Sequence, residues 1–476
     1  MHHVKRFSRN LRINIDTRSE RLQDPPQNEP LNRLARRRPP VPRFQERGMT
    51  GLAADRRTFL KGLGLLGAAA LVPGCATSTS SPGTSSGGAG GELSLQSNLS
   101  SEQAKAAMEK LVEAYNKTGG SQVKLNTVAS EIFRTQLPTY LTSANPPDVY
   151  TWYAGSVANS YAKKDLLLDV SSVWDSMKNY PQSMQTLSTS TNGQKIFVPT
   201  SYSWWGMFYR KSNFAKWGVT PPKTWAEFLA VCKTIQGKGI PPIGIGLGDT
   251  PWVASAWFDY LNVRINGAPF HRQLLAGKGR FDDPKVKAVF TKWQEALPYF
   301  DPKGKSFPFQ EATTALLAGK TGMFLIGTFF ADSAPKDALD DIDFFQFPII
   351  DPAVPVAEEA PVDGYFASKK AKDPEAVKKF MTWLATPQAQ EIYVQSSSGT
   401  AIPANPDGKS ADTPLVNKGK AMVESAKELT QFFNRDSSDA LQPTADAALT
   451  KFLDKPDQID QILKDWQAAA EKVFKA

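Results

Sequence analysis

Hydrophobic positions change period along the chain, and those changes delimit its elements. Leu93 and Leu95 alternate with polar neighbours as a strand does, whereas Ala104, Ala107, Met108, Leu111, Val112 and Tyr115 fall on one helical face. Ser100 with Gln103 gives a capping-box spacing at the start of that helix, and Gly119-Gly120 stops it. Val123-Lys-Leu125-Asn-Thr-Val128 returns to the strand period, so this stretch opens β-α-β. Helices near 131–144 and 156–164 flank a strand at Asp148-Val149-Tyr150, an alternation that predicts an α/β fold on a parallel sheet. Between 200 and 360, short strands at 206–210, 243–245, 322–326 and 344–348 mix with helices near 224–236, 251–264, 284–297 and 310–318. Asp283-Pro284, Asp373-Pro374 and Thr386-Pro387 each set a cap and a first-turn proline before a helix. The C-terminal stretch reads as helices separated by Pro443 and Pro456, and no repeat recurs at a fixed period.

Ahead of residue 92 the pattern is of another kind. Arg56-Arg57 and Phe59-Leu60-Lys61 precede an apolar run from Gly62 to Val72. That run is about a dozen residues, short of the roughly 20 that span a bilayer as a helix, so it reads as the core of a signal peptide. Residues 49–74 resemble a twin-arginine signal peptide, with Arg56 and Arg57 as its export pair. Val72-Pro73-Gly74-Cys75 resembles a lipoprotein processing box that would leave Cys75 to carry the lipid; Pro73 and Asp55 depart from the residues usual at their positions. Residues 75–91 then form a lipidated cysteine and a Ser/Gly linker with almost nothing to bury, expected to reach on the order of 20–24 Å. Residues 1–48 are Arg/Pro-rich without apolar periodicity and read as a disordered extension or a mis-assigned start, with Met49 as the true one.

The charge follows the same division. The 476 residues carry 56 basic and 47 acidic side chains, a formal +9. Residues 1–48 hold 12 and 5, residues 49–74 hold 3 and 1, and residues 75–476 hold 41 of each. A neutral body gives no nucleic-acid footprint. Histidine occurs only at 2, 3 and 271, and cysteine only at 75 and 232, which makes zinc clusters, Ser-His-Asp chemistry and a disulfide framework hard to assemble. No metal and no cofactor are expected.

Catalytic motifs are mostly absent. Gly83-Thr-Ser85-Ser-Gly87 has the G-x-S-x-G form but lies in the linker, without the strand and helix a nucleophile elbow needs. Gly244-Ile-Gly246-Leu-Gly248-Asp249 lacks the Lys-Ser/Thr ending of a phosphate loop and reads as a strand end and turn. The acidic pairs Asp282-Asp283, Asp340-Asp341 and Glu358-Glu359 read as caps or solvated loop residues, and His271 as a surface or packing residue. More telling are aromatic residues at strand ends beside short polar side chains: Trp152-Tyr153, Trp204-Trp205, Trp252, Phe329-Phe330 and Tyr365. A neutral sugar needs such a set, because its CH faces stack on rings while Asp, Asn and Glu accept from its hydroxyls. Each ring serves packing as well as it serves binding.

The body also resembles the family 1 extracellular solute-binding proteins of ABC importers, in the carbohydrate-binding branch. The stretches that carry the resemblance include Asn145-Pro-Pro-Asp148-Val149, Lys195-Ile-Phe-Val-Pro199, Trp205-Gly-Met-Phe-Tyr-Arg210, Gly218 to Phe228, Trp257 to Asn262, Phe281 to Val286, Ala318 to Met323 and Pro374 to Gln390. The resemblance implies a two-lobe, type II periplasmic-binding-protein-like α/β fold with a hinge and an interlobe ligand cleft. It implies lobe one at 92–199 plus 364–404, lobe two at 200–363 plus 405–476, and crossings near Pro199-Thr200, Asp363-Gly364 and Ala404-Asn405. By similarity the cleft would be lined by Trp152, Trp205, Asp249, Trp252, Phe329, Asp363, Gly364, Glu131 and Asn98. Gln96-Ser97-Asn98 stands where many relatives carry a tryptophan. Implied partners are a neutral carbohydrate, the ABC permease subunits and, through lipid on Cys75, the outer face of the cytoplasmic membrane; a monomer and no nucleic acid are expected. Two other classes remain open at this point: a secreted glycosidase, which needs two carboxyls roughly 5–10 Å apart across the cleft, and a receptor for a peptide or polyamine.

Overall fold

The computed structural model describes residues 91–475. The extension, the Arg56-Arg57 signal, the apolar run, Cys75 and the linker up to residue 90 lie outside the described residues. Those that are described contain two main sheets. The first holds β1 (Leu93–Ser97), β2 (Val123–Thr127), β3 (Val149–Tyr153), β4 (Val198–Tyr202), β10 (Val362–Ala367) and β11 (Ile402–Pro403), in the order β11-β4-β10-β3-β1-β2. The second holds β5 (Trp205–Arg210), β6 (Ile243–Gly244), β7 (Met323–Gly327) and β8 (Ile342–Phe345), in the order β6-β7-β5-β8. A short parallel pair, β9 (Ala357–Glu359) with β12 (Glu428–Thr430), is separate from both.

The expected parallel sheet is mixed instead. β1, β2 and β3 run parallel, as the β-α-β opening requires. β10 runs antiparallel to both β3 and β4, and β5 antiparallel to both β7 and β8. The cause is the chain's route: it leaves the first sheet after Tyr202, enters the second at Trp205, and returns at Val362 from the opposite direction. Local periodicity carries no record of such a return.

Most helices begin where the caps predict. Asp283, Asp373 and Thr386 each accept a first-turn N–H, and Thr224 with Glu227 forms a complete capping box. Helix Glu102–Asn116 starts one residue later than expected, with Ser101 rather than Ser100 accepting from Ala104. Helix Val253–Leu275 runs well past the expected end at 264, because a break at Gly267 (φ 81°) lets the chain bend and continue through Pro269. It is buried nearly all round, so no polar stripe betrays its length.

Two cores result. The first packs Leu95, Met108, Leu111, Phe133, Val149, Tyr150 and Phe380 around the six-stranded sheet. The second is largely aromatic, with Phe208, Phe228, Trp257, Phe258, Phe290, Trp293, Phe344 and Trp466 around the four-stranded sheet. The pair Glu358-Glu359, expected in a solvated loop, is fully buried in β9 in this second core, and His271 is buried there as well. Two adjacent carboxylates between Pro355 and Pro361 suggest a solvated loop, but the strand is roofed by helix Val253–Leu275.

Candidate functional site

A cavity of about 300 Å³ opens where the ends of the two sheets meet. One wall comes from the first half: Asn98 after β1, Thr151, Trp152 and Tyr153 from β3, and Glu131 and Arg134 from helix Ser130–Thr142. The floor comes from the second half: Trp205 at the start of β5, Trp252, Phe309, Phe329 and Phe432. Ser201, Asp363 and Gly364 reach it from β4 and β10, the strands through which the chain leaves and re-enters the first sheet. A larger hollow of about 600 Å³ lies elsewhere, against Pro241, Pro242, Leu297, Pro298 and Phe300. Its cation Lys305 is tied to Asp454, so it offers little convergent polar chemistry.

The floor is a lattice of rings. Trp205 stacks on Phe432 with centroids 4.7 Å apart and planes 19° apart. Trp252 stands edge-on to both, at 6.5 Å from Trp205 and 5.8 Å from Phe432. Phe329 meets Phe309 edge to face at 5.5 Å and Trp205 at 5.7 Å. Such offset and edge-on geometry fixes each ring's plane. Three pairs of consecutive aromatics build this region by one rule: Trp204, Phe330 and Phe433 are fully buried, while their neighbours Trp205, Phe329 and Phe432 line the cavity. On the opposite wall Trp152 stacks on Tyr153 at 4.3 Å, and the Arg435 guanidinium covers the Tyr153 ring at 3.9 Å.

Polar groups converge on the same space. Thr151 Oγ1 donates to Asn98 Oδ1 (2.6 Å) and accepts from Asn98 N (2.9 Å), which holds the asparagine at the rim. Arg435 Nη1 donates to Asp363 Oδ1 at 2.8 Å. The Asp363 side chain keeps 43% of its surface open, yet its surroundings raise its pKa while Arg435 opposes that rise. Asp332 accepts from Ser398 N at 3.0 Å, and burial raises its pKa. Gly364 sits where β10 shifts register against β4, and a Cβ there would collide with the Val198 carbonyl, so the close passage of these two strands requires glycine.

Eight of the nine residues assigned to the cleft by resemblance line this cavity: Trp152, Trp205, Trp252, Phe329, Asp363, Gly364, Glu131 and Asn98. They do not contribute alike. Trp152 and Trp205 are each 2% exposed and are mainly core residues with one edge in the cavity, whereas Trp252 and Phe329 are half-buried and present faces. Asp249 is the exception. It is exposed, has φ 58°, and lies outside the lining, because the turn before Trp252 directs it to solvent. Sequence reasoning missed Arg435, Phe432, Phe309, Arg134 and Asp332. A signal for Phe432 existed: Phe432-Phe433 repeats the double-aromatic pattern already noted at Trp204-Trp205 and Phe329-Phe330.

Residues 100–391 match the family described as bacterial extracellular solute-binding protein. An uncharacterized ABC transporter extracellular-binding protein of Pyrococcus horikoshii is 24% identical over 400 residues, covering 79% of this chain and 88% of its own. An alpha-glucosides-binding periplasmic protein of Rhizobium meliloti is 25% identical over 301 residues, 58% of this chain and 65% of its own. Among solved structures, the bacterial solute receptor AcbH, described as having an exclusive preference for β-D-galactopyranose, superposes with TM-score 0.78 at 28% identity, covering 81% of this chain and 99% of its own. The two-sheet architecture is that of two-lobe receptors, and the chain belongs to the family of bacterial extracellular solute-binding proteins.

Proposed function

We propose that this protein is a receptor, not an enzyme, that captures a small neutral sugar between its two lobes and delivers it to the permease of an ABC importer. The observation that carries this reading is the pairing of a ring lattice, Trp205, Trp252, Phe329 and Phe432, with hydrogen-bonding groups across one cavity of about 300 Å³. The half-buried rings of Trp252 and Phe329 take the CH faces of a pyranose over the buried stack of Trp205 and Phe432, and Asn98, Glu131, Asp363 and Arg435 answer its hydroxyls. The volume lies at the low end for ligand sites, which range over roughly 300–1,000 Å³, and favours one or two sugar rings over a long chain. Similarity to a β-D-galactopyranose receptor and to an alpha-glucosides-binding protein supports the same class. A polycation fits poorly, because the guanidinium groups of Arg134 and Arg435 share the cavity with the carboxyls of Glu131, Asp332 and Asp363.

Capture would proceed by closure of the lobes about the strands that cross between the sheets, which expels water and brings wall to floor. We place lobe one at 92–202 plus 362–404 and lobe two at 203–361 plus 405–476, close to the crossings the resemblance implies but moved because β4 and β10 pair within the first sheet, with bending at Tyr202 to Trp205 and at Ala360 to Val362. The export pair Arg56-Arg57 would direct the chain across the cytoplasmic membrane, and a lipid on Cys75 would then hold it, as a monomer, on the outer face. Thermal unfolding against a panel of mono- and oligosaccharides tests the substrate class. A ligand at a hundredfold excess over its dissociation constant adds about 2.7 kcal/mol. No shift with any sugar, together with a shift from amines or peptides, would overturn it.

A further inference from the structure

Most polar side chains deep in the cavity are bonded within the protein. Thr151 is taken by Asn98, Asp332 accepts from Ser398 N, and Thr400 Oγ1 donates to the Thr328 carbonyl at 3.2 Å. Glu131 has no such partner, but it is exposed and water meets it. Ser201, Ser203, Thr328 and Asn434 differ. Each lines the cavity, each is 8% exposed or less, and among the described residues none of their side chains has a hydrogen-bond partner. Nor are their polar atoms sealed in packing, as the Trp204 and Trp257 indole nitrogens are, so the little surface they keep faces the cavity they line.

The four come together where the chain crosses between the sheets. Ser201 pairs with Asp363 across β4 and β10. Ser203 follows the strand and its N–H meets the Pro361 carbonyl at 3.1 Å, while Thr328 N donates to the Trp204 carbonyl at 3.1 Å. Asn434 arrives on the short helix Phe433–Asp436, whose backbone is pinned by Phe433 N on Asp259 Oδ2 at 2.8 Å. Its neighbours are fixed as well: the Phe432 ring is stacked on Trp205, and Arg435 Nη1 donates to Asp363 Oδ1 (2.8 Å) and to the Val362 carbonyl (3.3 Å). The amide of Asn434 is thus carried between two side chains that are already engaged, and it alone of the three is unengaged.

Whatever fills this end of the cavity, water or solute, has to bond these groups. A solute that displaces water without replacing its bonds loses affinity, and a buried polar site rejects an analogue that lacks the matching group. A primary amide presents donor and acceptor side by side, and a serine or threonine hydroxyl turns to either role. A free sugar hydroxyl answers both demands, an ether or glycosidic oxygen only accepts, and a CH group does neither. We infer that Asn434 is the specificity-determining residue of the cleft, supported by Ser201, Ser203 and Thr328, and that this end of the cavity selects a terminal sugar ring with unsubstituted hydroxyls. Deoxy rings, O-alkylated rings and units of a chain linked through that position are excluded there. This selection rests on the capture reading above, because it acts only on a sugar held in the cavity.

The test is calorimetric titration of the full chain as wild type, Asn434→Leu and Ser203→Ala. The probes are D-galactose, D-glucose, D-xylose and maltose, followed by the monodeoxy and mono-O-methyl forms of the one bound best. In wild type at least one ring position should lose about tenfold or more in affinity when its hydroxyl is removed or methylated. In Asn434→Leu the parent sugar should fall to about the level of that deoxy form, so that the difference between them shrinks below about threefold. Ser203→Ala, which removes one oxygen, should narrow the difference at that position or the adjoining one. Without sugar, Asn434→Leu should melt within about 2 °C of wild type, since the amide holds no other part of the protein. If that variant does not fold, or melts far lower, the amide is structural and the assignment to Asn434 is overturned; Ser203→Ala then decides whether the crossing end still reads hydroxyls. Sugar binding with the same penalties in wild type and both variants overturns the inference and leaves capture standing. No binding of any of these sugars to wild type fails the capture reading, and the inference with it.

Discussion

The two halves each bury an aspartate beside their main sheet and satisfy it differently. Asp148 just before β3 receives Ser94 N (2.9 Å), Ser94 Oγ (2.7 Å) and Lys372 N (3.0 Å), so three donors from two distant residues converge on one carboxylate. Asp259 receives one backbone N–H, from Phe433, and its other oxygen has no hydrogen-bond partner among the described residues. The first arrangement pins β1, β3 and the start of helix Pro374–Leu384 together. The second leaves one oxygen of a fully buried carboxyl without a donor, and it stands directly behind the half of the cleft that carries the ring lattice. A carboxylate met by several donors ties its elements to one another; a buried carboxyl with one donor ties down only the segment that supplies it.

Four variants would sharpen or break that contrast. The largest effect is expected for Arg264→Met, which leaves Glu358 charged and unpaired in the second core and should cost about 3–5 kcal/mol in denaturant unfolding. Asp148→Ala should cost less, about 1–3 kcal/mol in all, because the donors it frees on Ser94 and Lys372 are only partly buried and water can reach them, and should loosen 93–97 and 149–153 in hydrogen exchange. If it proved harmless, the claim that this carboxylate clamps the first half would fail. Trp252→Ala should leave the unfolding midpoint nearly unchanged while weakening sugar affinity by about 10- to 100-fold, or roughly 1.4–2.8 kcal/mol. A collapse in stability with affinity retained would make that ring a core residue.

The smallest effect is a matter of pH. Burial raises the Asp436 pKa to about 6, against a usual carboxylate value near 4. Its contribution to stability is therefore present below about pH 4 and lost as pH rises through about 6. Asp436→Asn should match wild type at pH 4 and exceed it at pH 7.5 by about 1 kcal/mol, less than the roughly 3 kcal/mol a two-unit shift implies because Asp436 is only half-buried and solvent screens its charge, read as melting temperature across that range. An unchanged difference at the two pH values would contradict the burial explanation.

Much of the fold was legible because its signals are local. The caps at Asp283, Asp373 and Thr386 and the 3.6-residue face from Ala104 to Tyr115 are written in adjacent residues. What sequence missed depends on distant contacts. The antiparallel entry of β10, the continuation of helix Val253–Leu275 past Gly267 and the burial of Glu358-Glu359 are all set by elements more than a hundred residues apart or by packing on every side. The site shows the same division. Rings at strand ends could be picked out in the chain, yet which of two adjacent rings faces the cavity depends on how the backbone turns at each place: entry into β5 at Trp205, a tight turn at Thr328–Ser333 and a helix start at Phe433. Arg435 could not be found, since its role arises only where it meets Asp363 and Tyr153, more than 70 and 280 residues away.

Calorimetric titration of the full chain with the sugar that raises its melting temperature most, run in parallel on Trp252→Ala, tests capture in the cleft most directly. Saturable one-to-one binding that weakens at least about tenfold in a folded Trp252→Ala protein is the predicted result. Binding of equal strength in the two proteins, or no binding of any sugar to wild type, would contradict it.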